Sequence, residues 1–300
     1  MVNRAATAPC ANARDTADGV GETAGMPSRP TTQRPLLNRI EAYYDLVPRA
    51  DSRNEVHGPL TLFVATSPGF RWYARPSLGA ASVTAEDVAA VRRRQRVLGQ
   101  PESFEWVEEI TPSLRVAAEQ AGLAVTSLPL MVLDPAAARR PPTPAGVKLR
   151  LVGPDDDLAT IDAVARVGFA VAGTAVGQAG VPALAALAAN ATAELLAKQR
   201  DRLANGRTVT AVAMLGGDPV SVGSHQPRGK VTEIVGVATL PALRRRGLGA
   251  AVTGLLVGDA LDRGVETVFL SAGSDDVARV YERLGFRTVG TACIAEPPPR

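Results

Sequence analysis

The stretch "VTEIVGVATLPALRRRGLGAAVTGLLVG", residues 231–258, constrains the fold more than any other part of the chain. A β-branched run passes through a short loop into an apolar, glycine-punctuated helix. Arg244, Arg245 and Arg246 stand where that helix starts. The positive end of a helix dipole disfavours cations by about 0.3–1 kcal/mol each. Gly247 and Gly249 leave the backbone bare, and first-turn amides have no intrahelical acceptor. Bare backbone, open amides and guanidinium groups at one helix start make a site for an anion such as a pyrophosphate. The spacing is not a Walker loop, since no Lys-Ser/Thr follows, and it is not G-x-G-x-x-G. On these residues alone, a solvated basic helix start with glycines for packing is the competing reading.

The segments around this turn alternate in type. "VKLRLV" begins a strand, and "PDDDLATIDAVARVGFA" (154–170) and residues 181–206 read as helices. Strands follow at 208–215, 219–227 and 230–240, the first two joined by a tight "GGD" turn. The arginine helix, a strand at 265–273, a helix at 274–286 that Ser274 or Asp275 could cap, and a last strand complete the order β-α-α-β-β-β-α-β-α-β. Before it, "PAAARRPPTPAG" (135–146) has four prolines in twelve residues and reads as a linker. Residues 36–134 form a separate α/β domain. A helix at 36–48 is closed by Pro48, a hairpin spans 60–76, and a helix at 84–99 is capped by Thr84 with Asp87 at N3. "SFEWVEE" then reads as an alternating strand, "PSLRVAAEQAGL" as a helix and "AVTSLPLMVLD" as one or two strands. Residues 1–35, rich in Ala, Thr, Gly and Pro, read as a disordered tail without the apolar core of a signal peptide.

"RRRGLG", Arg244 to Gly249, matches the Gln/Arg-x-x-Gly-x-Gly/Ala signature of the GCN5-related N-acetyltransferase (GNAT) family, and "YERLGF" resembles that family's later helix ending. The resemblance covers residues 147 to about 295. It implies an α/β fold with a mixed, mostly antiparallel sheet flanked by helices, and acetyl-CoA as co-substrate. By the same resemblance, Val237, Ala238 and Thr239 offer strand backbone to the pantetheine arm. Arg244 opens the signature, and Arg245, Arg246, Gly247, Leu248, Gly249 and Ala250 wrap the pyrophosphate with main-chain N–H groups. Family members often carry an Asn three residues before the small residue matching Ala278; here that position is Asp275, and Ser274 is the substitute contact.

Acetyl transfer to an amine needs a group to take a proton and a group to give one. Tyr281 stands where the family's general acid often stands, although Val277, Val280 and Leu284 give it the setting of a core tyrosine. Glu233 stands where similar enzymes have a base, although its alternation with Ile234 and Gly236 also fits a solvent-facing strand position. His225 is a further base candidate, with a satisfied surface residue as the more frequent alternative. Neither Cys10 nor Cys293 lies in a motif that implies a covalent acyl-enzyme or a metal site, so a direct ternary-complex mechanism without metal is expected.

The first half lacks the anion turn, yet its order of strand, helix ending in Ala-Gly-Leu, and strand resembles the end of the same fold. A tandem, two-lobed arrangement with a degenerate N-terminal half follows. "RRRQR" at 92–96 has no aromatic interleaving and reads as a solvated helix face. A net charge of +3 does not call for nucleic acid, and no apolar run suits a membrane span. The expectation is a cytoplasmic N-acetyltransferase with a small-molecule or peptide amine acceptor, its state as a monomer or homodimer open. A non-catalytic acyl-CoA sensor or scaffold of the same fold is the alternative.

Overall fold

The computed structural model describes residues 33–66 and 73–299. The expected tail lies outside the described residues up to position 32, its last three positions, 33–35, are helical instead, and the turn of the expected 60–76 hairpin lies outside the described residues at 67–72. The first half runs α1 (Gln33–Arg49), β1 (Ser52–His57), β2 (Leu60–Ala65), β3 (Ala74–Pro76), α2 (Ala85–Val97), β4 (Phe104–Val107), α3 (Ser113–Gln120) and β5 (Ala124–Leu133). The second runs β6 (Val147–Leu151), α4 (Leu158–Phe169), α5 (Leu184–Ala188), α6 (Ala193–Ala204), β7 (Val209–Leu215), β8 (Asp218–Arg228), β9 (Val231–Thr239), α7 (Leu248–Asp262), β10 (Thr267–Ser271), α8 (Asp275–Glu282) and β11 (Phe286–Glu296).

Local chemistry explains most boundaries. Thr84 and Asp87 form a reciprocal capping box at α2, Asp157 caps α4, and Ser274 caps α8. The expected single helix over 181–206 is broken at Asn190 to Thr192, where the Thr192 hydroxyl accepts from Leu195 N–H and restarts the chain as α6. Pro48 lies inside the last turn of α1 and does not close it. β4 alternates as expected, with Phe104 and Trp106 in one core cluster and Val107 in another, but both of its faces are buried. β1, "SRNEVH", was hidden by its polarity and is an edge strand.

Among the described residues, all strands join one eleven-stranded sheet in the order β1-β2-β3-β4-β11-β5-β10-β9-β8-β7-β6. Pairing is antiparallel except at β3–β4 and β9–β10. The halves exchange their last strands. β5 of the first half pairs with β10 of the second, β11 of the second pairs with β4 of the first, and β5 and β11 pair with each other from Phe286↔Leu133 to Glu296↔Ala124. The proline-rich segment is packed: Asp134 N–H donates to Gly285 O at 2.9 Å and Arg139 N–H to Leu284 O at 3.1 Å.

The two faces of the sheet are covered by different elements. On β5, Leu128, Leu130 and Val132 join the cluster around Tyr43 and Tyr44 of α1, whereas Met131 and Leu133 belong to the cluster that includes Tyr281 of α8. α7 shares the α8 face: a Cβ on Gly223 of β8 would touch Val252 and Leu256. α1 therefore lies on one side of the sheet, and α7 and α8 on the other.

Candidate active site

β9 and β10 run parallel through only three pairs, Val231↔Thr267 to Glu233↔Phe269, and then part. Against β8, the β9 register shifts between Val222 and Ser224, and Gly236 takes φ +68°. The bulge shifts the register, and beyond it Ala238 and Thr239 stay paired with Val222 and Ser221 of β8 while the edge toward β10 is open. The Ser221 hydroxyl anchors the departing end, donating to Ala238 O at 2.8 Å and lying 2.9 Å from Thr239 Oγ1.

A 3-10 turn at Pro241–Leu243 leads into the arginine turn. Arg245, at φ 64°, is the one non-glycine residue with positive φ among the described residues, and Gly247, at φ 77°, begins α7 with no side-chain cap. Left-handed residues just before a helix turn successive N–H groups toward one point, which makes an anion-binding concavity. Leu248 is buried and pins the helix start, while Arg245, Arg246 and Gly247 are exposed. Gly249 and Ala250 follow in the first turn, half-buried.

Arg244 differs from its neighbours. Its guanidinium donates to the carbonyls of Gly168 (2.6 Å), Val171 (2.8 Å), Ala175 (3.2 Å) and Thr239 (3.4 Å). It holds the C-terminal end of α4, where a cation is favoured, against the root of the turn. The backbone of Arg244 belongs to the turn, but its side chain does not face it.

The first half shows what an occupied helix start looks like. In α2, Thr84 accepts from Asp87 N–H and the Asp87 carboxylate accepts from Thr84 N–H at 2.9 Å. The Thr84 hydroxyl and the Asp87 carboxylate each take one amide at this start, whereas α7 begins with no side-chain cap.

Glu233 is only 1% exposed and faces α1, not solvent. The Tyr44 hydroxyl donates to Glu233 Oε1 at 3.1 Å and lies 3.1 Å from Ser271 Oγ. The neighbouring Tyr43 hydroxyl accepts from Glu233 N–H at 3.3 Å and donates to Gln226 O at 2.7 Å. Burial, then the Glu233 charge, pushes both phenols well above the tyrosine range, so both stay protonated. Tyr43, Tyr44 and Ser271 lie in no sequence motif. Their one visible trace was the Tyr-Tyr pair on the apolar stripe of α1.

Tyr281 lies on the opposite face, buried against Phe286 with ring centroids 5.9 Å apart; burial raises its pKa and keeps it a donor. Ala278 is buried one turn earlier. The Ser274 hydroxyl accepts from Val277 N–H at 3.3 Å as the α8 cap, and Asp275 is exposed in that first turn. A cavity of about 510 Å³ lies between α8 and the β5–β11 pair, lined by Asp275, Ala278, Glu282, Ser127 and Thr291 among others. It includes no residue of the arginine turn.

His225 is not a surface residue. It is fully buried, with Nδ1 3.0 Å from Thr232 Oγ1 and Nε2 2.9 Å from Asp259 Oδ2. Asp259 is in the last turn of α7, far along the helix from Gly247, so His225 ties α7 to the sheet and is not placed with Glu233. In "RRRQR", Arg92 and Arg96 pair with Glu102, Arg94 pairs with Glu55, and Gln95 is buried.

Residues 185–286 match the acetyltransferase (GNAT) family. The chain carries a GNAT domain. The GCN5-related N-acetyltransferase from Kribbella flavida superimposes on 88% of this chain and 96% of its own, with TM-score 0.68 at 22% identity. The GCN5-related N-acetyltransferase from Sphaerobacter thermophilus does so over 90% and 93%, with TM-score 0.53 at 18% identity. A tandem GNAT protein from the clavulanic acid biosynthesis pathway covers 80% of this chain and 79% of its own, with TM-score 0.50 at 15% identity. No curated protein matches the sequence. The first half is a second GNAT-like fold, and its helix α2 caps itself. Among the described residues no helix is long and apolar enough to cross a membrane.

Proposed function

We propose that the chain is an acetyl-CoA-dependent N-acetyltransferase acting on a primary amine by direct attack in a ternary complex. The observation that carries the proposal is the uncapped start of α7, with Arg245 and Gly247 in left-handed conformations, beside a strand that has parted from its parallel neighbour. The amides of residues 247–250 and the exposed Arg245 and Arg246 suit a pyrophosphate. On the edge that β10 has left, the backbone of Val237 to Thr239 suits an amide-bearing arm, and Ser274 and Ala278 remain the proposed contacts from α8.

When bound, the thioester supplies an acetyl carbon whose C–S bond breaks as the N–C bond forms. Glu233 takes the amine proton and Tyr281 protonates the leaving sulfur, the two acting from opposite faces of the sheet. Cys293 is a poor nucleophile: burial, then the hydrogen bond to Glu108, pushes its thiol up to about 12, so no thiolate forms at neutral pH. That supports direct transfer over an acyl-cysteine intermediate, and a buried thiol suits the proposed reducing cytoplasm.

The test is calorimetric titration with acetyl-CoA of the intact chain and of an Arg246→Glu, Gly247→Asp double variant. Micromolar binding lost in the variant supports the site. No binding to the intact chain overturns it. A sensor or scaffold role is the second reading, favoured by the exposed Asp275 where the family often has Asn. Turnover with any amine would refute it.

A further inference from the structure

Three oxygen atoms form a hydrogen-bonded chain from the parting of β9 and β10 to the buried Glu233. Ser271 Oγ lies 3.1 Å from the Tyr44 hydroxyl, which lies 3.1 Å from Glu233 Oε1. A phenol has one proton, and Tyr44 gives it to the carboxylate. The proton between Ser271 and Tyr44 therefore belongs to Ser271, and the chain is polarised: Ser271 donates to Tyr44, and Tyr44 to Glu233. Ser271 is the last residue of β10, two positions past the final β9 pairing, and is half-buried. Its oxygen retains lone pairs for one more donor.

The tyrosine is held from several sides. Its ring meets Phe269 edge-on at 5.3 Å, and the Arg75 guanidinium lies over it at 5.2 Å. Arg75 is itself fixed by a buried ion pair with Glu41 of α1. A carboxylate 1% exposed cannot approach an amine to the roughly 2.6–3.2 Å that proton transfer needs, so a base at Glu233 requires an intermediary.

We propose that Ser271 and Tyr44 form a proton relay from the acceptor amine, at the opening between β9 and β10, to the buried Glu233. The proposal rests on the transferase reading with Glu233 as base. As the N–C bond forms, the amine proton passes to Ser271 Oγ, the Ser271 proton to the Tyr44 oxygen, and the Tyr44 proton to Glu233 Oε1. One N–H bond breaks and one carboxyl O–H bond forms. Both hydroxyls end as they began, and Glu233 returns its proton to solvent before the next turnover. Tyr44 is a positioning and relay residue supplied by the first half, which gives the degenerate half a part in the chemistry of the GNAT domain.

The test uses the full chain with acetyl-CoA, following release of the free thiol. Spermidine, a lysine-containing peptide and kanamycin serve as probe amines, and water as the background acceptor. Tyr44→Phe keeps the ring and removes the relay oxygen. It is expected to lower kcat about 100-fold, the low end for losing acid–base assistance, with the KM for acetyl-CoA unchanged. The wild-type rate is expected to fall along a curve across H₂O–D₂O mixtures, as when several protons move together, and that curve is expected to straighten in Tyr44→Phe. Ser271→Ala is expected to lose activity and Ser271→Thr, which restores a hydroxyl, to regain it. A merely structural role would not produce that rescue. If Tyr44→Phe melts early, the Ser271 pair decides. Loss of activity in Glu233→Gln with wild-type kcat in Tyr44→Phe and Ser271→Ala overturns the relay and leaves the transferase reading standing. Failure of the intact chain to transfer acetyl to any probe amine or to water overturns both.

Discussion

Gly254 of α7 lies directly under Pro141 of the proline-rich segment: a Cβ on Gly254 would come within 2.7 Å of Pro141 Cδ. A glycine inside a helix ordinarily costs about 0.5–1 kcal/mol relative to alanine, so replacing one usually stabilises. Here the proline ring cannot swing aside as a flexible side chain would. Gly254→Ala is expected to lower the unfolding free energy, whereas Gly258→Ala, on the same helix with nothing within 4 Å of its Cβ, is expected to raise it by about 0.5–1 kcal/mol. Urea denaturation of the two variants checks the reversal of sign.

The arginine turn makes a similar pair of predictions. Gly247 stands at φ +77°, where a Cβ costs roughly 1–2 kcal/mol, and its amide is one of those the helix leaves open. Gly249 has no such φ, and a Cβ there would meet Thr239 Oγ1 at 3.5 Å and Val237 Cγ1 at 3.7 Å, ordinary contacts. In Gly247→Ala the unliganded turn relaxes out of that conformation, so acetyl-CoA binding has to restore it and is expected to weaken by about tenfold, the equivalent of that strain. Gly249→Ala is expected to retain binding. Calorimetry on both variants separates the two positions.

What could be read from the sequence follows from how local each feature is. The anion turn is built from consecutive residues, Arg244 to Ala250, so its chemistry was visible in a short string. The caps at Thr84 and Ser274 were visible for the same reason. The side-chain fate of Arg244 was not, because its acceptors on Gly168 and Val171 lie more than seventy residues away. Glu233 could be noticed as a carboxylate on a strand, but its burial depends on Tyr44, 189 residues earlier. His225 read as a surface residue because its partner Asp259 sits on another element. The exchange of β5 and β11 leaves no mark on either strand's own pattern.

The self-capped start of α2 predicts a stoichiometry. Asp87 already places a carboxylate on the Thr84 amide at the start of α2, the Thr84 hydroxyl takes the Asp87 amide, and the segment before Thr84 has no arginine turn. One acetyl-CoA per chain is expected in a calorimetric titration. A value of two would mean that the first half binds cofactor by another route. Thr84→Ala is expected to cost about 0.5–2 kcal/mol of stability through loss of the cap, without changing the stoichiometry.

His225 predicts an acid-sensitive component of stability. Burial lowers its pKa, and the hydrogen bond to Asp259 only partly offsets that. The folded state thus prefers the neutral ring more than the unfolded chain does. This contribution is fully present above the ordinary histidine range of about 6.5 and is lost as pH falls through it toward the lower folded value. Burial pulls Asp259 up, but hydrogen bonds from Arg263 and His225 outweigh it and hold the carboxyl low, so its contribution is lost in the same direction at more acid pH. Unfolding free energies measured from about pH 8 to about pH 5 are expected to fall less steeply in His225→Gln than in the wild type. Equal slopes would remove His225 as the cause.

The exchanged strands make the strongest claim about assembly. A chain ending at residue 134 would leave β4 without β11, and would present the full length of β5 with neither β11 nor β10 beside it. A chain beginning at 135 would leave β11 without either neighbour and β10 without β5. Each fragment would then carry a long unpaired edge lined on both faces by apolar residues, including Leu130, Met131 and Val132 on β5 and Val289 and Ala292 on β11, and such edges aggregate. Each half expressed alone is therefore expected to be insoluble or unfolded. The two co-expressed as separate chains are expected to recover a soluble one-to-one complex, because the missing partners for β5 and β11 are then supplied in trans. Far-UV circular dichroism and size-exclusion chromatography of the three preparations check this. A soluble, cooperatively melting fragment of residues 33–134 would show that the first half closes its own sheet and that the exchange is not required for its folding.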